Sequence, residues 1–182
     1  MIAILWIAFM ASWIIAAFWQ AQSEKRAAPK EEATYQIVLL IGTVMLLIPA
    51  HGYRGWMRIW FPSLTLVWIC IGLMVVGFAF CWWARIYLGP LWSSQVTKKP
   101  DHHVVDTGPY GLVRHPIYTG ILLAVLATAV VKGTLLGIAG TALVTLAFWM
   151  KARLEERFLR AELGAGAYDD YGRRVPMLIP FL

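Results

Sequence analysis

Charge is scarce in this chain: only 14% of its 182 residues are Asp, Glu, Lys or Arg, where a soluble domain carries about 25%. Cysteine is limited to Cys70 and Cys81. On one predicted helix these two sit roughly 16 Å apart along the axis, beyond disulfide reach, and they read as lipid-facing or packing residues. Neither a metal-ligand spacing nor a Gly-rich phosphate loop is present, so zinc and nucleoside triphosphate chemistry have no support and no metal is expected. Internal repeats and low-complexity tracts are also missing. No Lys or Arg precedes the first apolar run; that run is too long for a secretion signal and reads as a permanent helix.

What is abundant is apolar surface. Hydrophobic residues make up 60% of the chain, with ten Trp, and mean hydropathy is +0.65. Uncharged windows run from Met1 to Ser23, Ala33 to Tyr53, Ile59 to Ala84, His115 to Val131 and Gly133 to Met150. A helix needs roughly 20 residues to cross a hydrocarbon core of about 30 Å. The first three windows are sufficient. The last two are short, divided only by Lys132 and Gly133, and predict a tight helical hairpin. The expected fold is an all-α integral membrane bundle of about five transmembrane helices, the last two a short hairpin, with a cofactor pocket on the cytosolic side. It forms one domain, residues 1–182, with three N-terminal spans in 1–84 and the chemistry in 85–182.

Five spans put the termini on opposite sides. With the C-terminus cytoplasmic, thirteen of the sixteen Lys and Arg lie inside and only Arg54, Arg58 and Lys132 outside, which the positive-inside rule favours. The expectation is therefore a multi-pass protein of a bacterial inner membrane, N-terminus out. The net charge of +6 then reflects orientation and contact with anionic headgroups, and no nucleic-acid partner is implied.

Polar residues gather in the second half. The segment Arg85–Ser93 places a cation and aromatics after the third span, as snorkelling and interfacial anchors do. Gln95–Val105 holds adjacent His102 and His103 after a Pro-Asp turn. In T-G-P-Y-G-L-V-R-H-P-I-Y-T-G, from Thr107, Gly108, Pro109 and Gly111 predict a turn and Pro116 the first position of a helix. Arg114, His115 and Tyr118 then surround a helix N-terminus, where unsatisfied N–H groups and the dipole favour a carboxylate. The bland alternative is an interfacial collar. In K-A-R-L-E-E-R-F-L-R-A-E, from Lys151, helical spacing pairs Lys151 with Glu155 and Glu156 with Arg160, a solvated face worth little. Yet the fifth span ends where the fourth begins, so Glu155 and Glu156 can face His115 and Tyr118 across the hairpin, and carboxylates at that level are costly unless they bind something cationic. Such a site suits a zwitterionic ligand with a flat ring.

The run G-P-Y-G-L-V-R-H-P-I-Y-T-G, then E-E-R-F-L at Glu155, Gly164 and Y-D-D-Y-G-R-R-V-P at Tyr168, with L-G-P-L-W-S-S-Q-V upstream, resembles the isoprenylcysteine carboxyl methyltransferase family. The likeness covers residues 83 to 181. Its wider superfamily includes phospholipid N-methyltransferases and the cofactor-binding half of sterol reductases. The resemblance implies a membrane methyltransferase that binds S-adenosylmethionine in a cytosol-facing pocket and admits a hydrophobic or lipidated acceptor from the bilayer. The implied cofactor cradle is Gln95, His102, His103, Val104, Val105, Tyr110, Arg114, His115, Pro116, Ile117 and Tyr118. Glu155 and Glu156 lie at the reacting end. Eukaryotic members carry an Arg four residues before that Glu, where this chain has Lys151 with Arg153 nearby. Either could take the role, and the change weakens the case for a prenylcysteine carboxylate, which Arg would grip better. A nicotinamide-dependent reductase and a non-catalytic membrane subunit are the rival readings.

Overall fold

The computed structural model describes residues 1–18, 25–26, 29–48, 57–92, 97–98, 104–163 and 165–180. Gln95, His102 and His103 therefore lie outside the described residues. Six α-helices carry the fold among those described: α1 Ile2–Ala17, α2 Pro29–Leu47, α3 Leu64–Leu88, α4 Pro116–Lys132, α5 Leu135–Leu163 and α6 Ala165–Arg174. Both α3 and α5 are long and apolar enough to cross a bilayer, and α1 and α4 are shorter apolar helices. Large apolar side chains such as Ile7, Leu40, Trp68, Val76, Leu126 and Leu146 are exposed along these helices. An apolar surface this extensive needs lipid or protein to cover it.

Local chemistry sets the helix ends. The Ser63 hydroxyl accepts from the Leu66 N–H at 3.2 Å and caps the start of α3, as N-cap serines do. Pro116 occupies the first position of α4, with His115 as N-cap. Gly133 closes α4 at φ +59, a left-handed conformation that L side chains avoid. The hairpin departs from expectation in length. Its second arm is 29 residues long, because the strong helix formers after Met150 give the helix no reason to stop. At about 1.5 Å per residue, α5 exceeds a hydrocarbon core of about 30 Å by several turns. Arg85 likewise lies within α3, which runs on to Leu88 before Gly89 ends it.

The helices pair as α3 with α4 and α2 with α5, joined by the α4–α5 contact, and α1 lies against α3. Close approach rests on facing glycines. A Cβ on Gly77 of α3 would sit 2.5 Å from the Gly120 carbonyl of α4, and one on Gly42 of α2 would sit 2.9 Å from the Gly140 carbonyl of α5. Small residues let helices pack in lipid, where no hydrophobic effect drives them together. Cys81 is buried against α4, its thiol 3.2 Å from the Ile117 carbonyl, and Cys70 is buried as well. Both cysteines are therefore packing residues.

One end of the α4–α5 hairpin is tied by backbone. The Gly133 carbonyl accepts from Ile59 N–H at 2.8 Å and Trp60 N–H at 3.3 Å, and the Trp60 indole donates to Val130 O at 2.8 Å. The Lys132 ammonium reaches the Leu46 and Ile48 carbonyls at the end of α2, satisfying groups a helix terminus leaves open. At the other end, Lys25–Arg26 pairs antiparallel with Thr97–Lys98, Arg157 of α5 meets Glu31 of α2 at 3.7 Å, and α6 packs on α5.

Candidate functional site

The site forms where α4 begins and α5 leaves its apolar stretch. Upstream, Gly108 at φ +58 opens a single 3-10 turn, Gly108–Gly111, which delivers Arg114 and His115 to the head of α4. The chain after α6 holds them there. Arg114 N–H donates to Pro176 O at 2.8 Å, His115 N–H to Met177 O at 3.1 Å, and the Thr119 hydroxyl to Leu178 O at 2.6 Å.

Side chains from the two helices then meet. The His115 ring is 8% exposed, with Nδ1 3.4 Å from Glu155 Oε2 and Nε2 3.2 Å from Glu156 Oε1. Tyr118 donates its hydroxyl to Glu155 Oε1 at 2.5 Å, and its ring stacks on His115 with centroids 5.3 Å apart and planes within 4°. Arg114 Nε lies 2.8 Å from Glu156 Oε1, while Arg114 Nη1 donates to Gly172 O at 2.7 Å. A Cβ at position 172 would come within 2.8 Å of that guanidinium nitrogen, so any side chain there would displace the tip of Arg114. Lys151 Nζ stands 4.0 Å from Glu155 Oε1, 5.4 Å from the Tyr118 ring centre and 5.7 Å from that of Tyr35.

Burial disfavours a charged His115, but hydrogen bonds and charge from Glu155 and Glu156 outweigh it and raise its pKa above the ordinary imidazole value. Burial also raises the pKa of the Tyr168 and Tyr171 phenols. They enter the site as packing and hydrogen-bonding groups, with the Tyr171 hydroxyl donating to Tyr110 O at 2.8 Å.

The sequence expectations sort clearly against this geometry. His115, Tyr118, Arg114, Glu155, Glu156 and Lys151 converge in one cluster. Glu156 pairs with Arg114 and His115, and Arg160 pairs instead with Asp169 of α6 at 2.7 Å. Pro116 and Ile117 are buried at the head of α4, and Tyr110 is buried beneath the 3-10 turn. Val105 packs against the main core and Val104 against Tyr168, Tyr171 and Val175. Arg153 turns away, its guanidinium 5.5 Å from the Trp149 ring centre. The group that stands with Glu155 is thus Lys151.

One contributor went unread in the sequence, and another plays a different part from the one the sequence suggests. Tyr35, on α2, is buried and supplies a ring beside Lys151. Arg85 is fully buried instead of snorkelling; it donates to Gly89 O and Ala16 O, each at 2.8 Å, and lies over Trp92, tying α1 to the end of α3. No local motif signals either role, because both depend on a partner in another helix.

Residues 70–161, half of the chain, match the model of the isoprenylcysteine carboxyl methyltransferase family. The chain belongs to that family. The matched segment runs from α3 through α5 and contains the whole His115–Glu155–Glu156 cluster. Among curated relatives, methanethiol S-methyltransferase 2 of Bradyrhizobium diazoefficiens is 51% identical over 75 residues, 40% of this chain and 27% of that protein. The cobalt-zinc-cadmium resistance protein CzcN of Cupriavidus metallidurans is 30% identical over 79% of this chain and 62% of its own length. Protein-S-isoprenylcysteine O-methyltransferase of Schizosaccharomyces pombe is 27% identical over 81% of this chain and 67% of its length. The chain thus spans between 27% and 67% of these relatives.

Proposed function

We propose that the protein is an S-adenosylmethionine-dependent membrane methyltransferase acting on a small hydrophobic or lipidic acceptor. Family membership and methyltransferase relatives support this reading. The observation that carries it is the convergence of His115, Tyr118, Glu155 and Glu156 where α5 leaves its apolar stretch.

The cluster fits the cofactor's chemistry. Its carboxylates suit an ammonium or sulfonium, Arg114 suits a carboxylate, and the stacked His115 and Tyr118 rings offer aromatic surface. Tyr110, Arg114, His115, Pro116, Ile117 and Tyr118 would form the described part of the cradle, with Val104 and Val105 beside it; Gln95, His102 and His103 are proposed from the motif. When bound, the cofactor supplies an electrophilic methyl group.

The chain's own residues chiefly hold and align the reactants, and alignment removes much of the entropic barrier. A carboxylate acceptor needs no base. A thiol or amine must lose its proton, and the His115–Glu156 pair is placed to take it. Lys151, held between the Tyr35 and Tyr118 rings, is the cation available to an acceptor's charged end. Topologically, five spans with the N-terminus out and this end cytoplasmic, in a bacterial inner membrane, agree with the charge distribution and with the pairing of Lys25–Arg26 to Thr97–Lys98. On this reading, 1–182 is one membrane domain.

The test is methyl incorporation from labelled S-adenosylmethionine in membranes carrying the protein, with methanethiol and N-acetyl-S-farnesylcysteine as separate acceptors. Turnover of at least one, lost in Glu155→Gln, is expected. Incorporation that Glu155→Gln leaves unchanged would remove the proposed centre.

A further inference from the structure

A cavity of about 860 Å³ opens between α2, α5 and α6 and adjoins the methyl-transfer cluster, whose Arg114 and Glu156 lie in its lining. Beside Met150, Leu154 and Glu156, its α5 wall carries Trp149, Arg153, Arg157 and Arg160. At 3.6 residues per turn these share one helix face, roughly opposite the Lys151–Glu155 face. Arg173 of α6 and Arg114 add two cations, against the carboxylates of Glu31, Glu156 and Asp169. Five cations against three anions leave the lining positive.

Apart from the largely buried Arg114–Glu156 pair, the existing pairs are weak holds, among them Arg173–Asp170 with side chains 73% and 64% exposed. Arg157–Glu31 is 3.7 Å long with side chains 71% and 50% exposed, and Arg160–Asp169 joins side chains 56% and 34% exposed. Exposed pairs of this kind contribute about 0–1 kcal/mol, so a phosphate offering bidentate geometry to arginine can displace them. The apolar side of the site continues toward the membrane. One turn from the lining residue Thr34, Ile37 of α2 is exposed, and one turn from Trp149, Leu146 of α5 is exposed, as is Trp149 itself. A cationic recess thus sits directly above an uncovered apolar track, at the level where α5 passes from apolar to charged sequence.

We propose that this recess binds the phosphodiester headgroup of an anionic phospholipid, with its acyl chains along the Ile37, Leu146 and Trp149 surface. Basic pockets between membrane helices on the cytoplasmic side recognise such headgroups, and Trp belongs at that interface. The inference rests on the membrane reading above, and its test reads lipid binding separately from methyl transfer.

The experiment titrates detergent-purified full chain with dioctanoyl phosphatidylglycerol, dioctanoyl phosphatidylcholine and inorganic phosphate, following heat release. The anionic lipid should bind saturably and at least about tenfold tighter than the zwitterionic one. Combined Arg157→Gln, Arg160→Gln and Arg173→Gln should weaken it at least about tenfold, while S-adenosylhomocysteine binding in the same sample stays at the wild-type value. That control separates failure of this site from failure of the methyltransferase reading. Arg114 is left unchanged because it holds Glu156. If the triple variant does not fold, Arg160→Gln alone and the salt response of the wild type decide: affinity for the anionic lipid should fall as salt rises. Equal affinity for the two lipids, a salt-insensitive affinity, or an unaltered affinity in a folded variant would overturn the proposal. Displacement by inorganic phosphate at equal concentration would overturn the lipid assignment.

Discussion

The two ends of the α4–α5 hairpin differ in what their side chains do. At the Gly133 end, side chains serve backbone: Lys132 reaches the carbonyls ending α2, Trp60 reaches Val130 O, and Gly133 O takes two N–H groups. At the His115 end backbone carbonyls are also paired, by Arg114, His115 and Thr119, but side chains in addition serve each other, with His115 between two carboxylates that Tyr118, Arg114 and Lys151 also reach. Backbone partners cannot be given up without loosening helices. A side-chain cluster can exchange partners with a ligand, and its charges are stabilised by one another more than by the fold. The contrast separates what holds the bundle from what it holds in place.

The largest effect should come from breaking the structural end. Gly133→Val forces a β-branched residue into a left-handed turn and against the Trp60 carbonyl, so a loss of roughly 2 kcal/mol or more is expected. It should appear as a lower thermal midpoint, with S-adenosylhomocysteine affinity of the folded fraction unchanged. An altered affinity at an unaltered midpoint would reverse the roles assigned to the two ends.

His115→Ala and Glu155→Gln should do the opposite. Each is expected to reduce S-adenosylmethionine binding or turnover at least about tenfold, roughly 1.4 kcal/mol, with the fold retained. Wild-type values in both would return the cluster to a structural role.

Of the fold, the start of α4 was legible because Pro116 and the Gly-Pro turn before it mark a helix entry. The meeting of Glu155 with His115 was legible because a short hairpin brings its two open ends together. That Lys151, and not Arg153, lies beside Glu155 was also within reach, since four residues before Glu155 is the same helix face and two residues is not. Helix–helix registry was not legible. Tyr35 beside Lys151, Lys132 at the end of α2 and Arg85 at the end of α1 depend on how whole helices pack against one another, which no local pattern encodes.

A smaller effect sharpens the Lys151 assignment. Lys151→Ala should raise the acceptor's KM several-fold and more than the cofactor's; the reverse would move Lys151 into the cofactor site.

The smallest effect is the pH response of the His115 end. Because the folded protein raises the His115 pKa above 6.5, its contribution to stability is full below about pH 6.5 and is lost as pH rises through the raised value. Thermal midpoints across that range should decline in the wild type and lose that component in His115→Gln. Parallel curves for the two proteins would show that the imidazole charge contributes nothing.

The most direct test of the central claim is calorimetric titration of the detergent-purified protein with S-adenosylhomocysteine, alongside reduced nicotinamide adenine dinucleotide phosphate. The account predicts micromolar binding of the first, about −8 kcal/mol, and none of the second. Binding of only the nicotinamide cofactor would make the pocket a reductase's, and binding of neither would contradict a cofactor site at the head of α4.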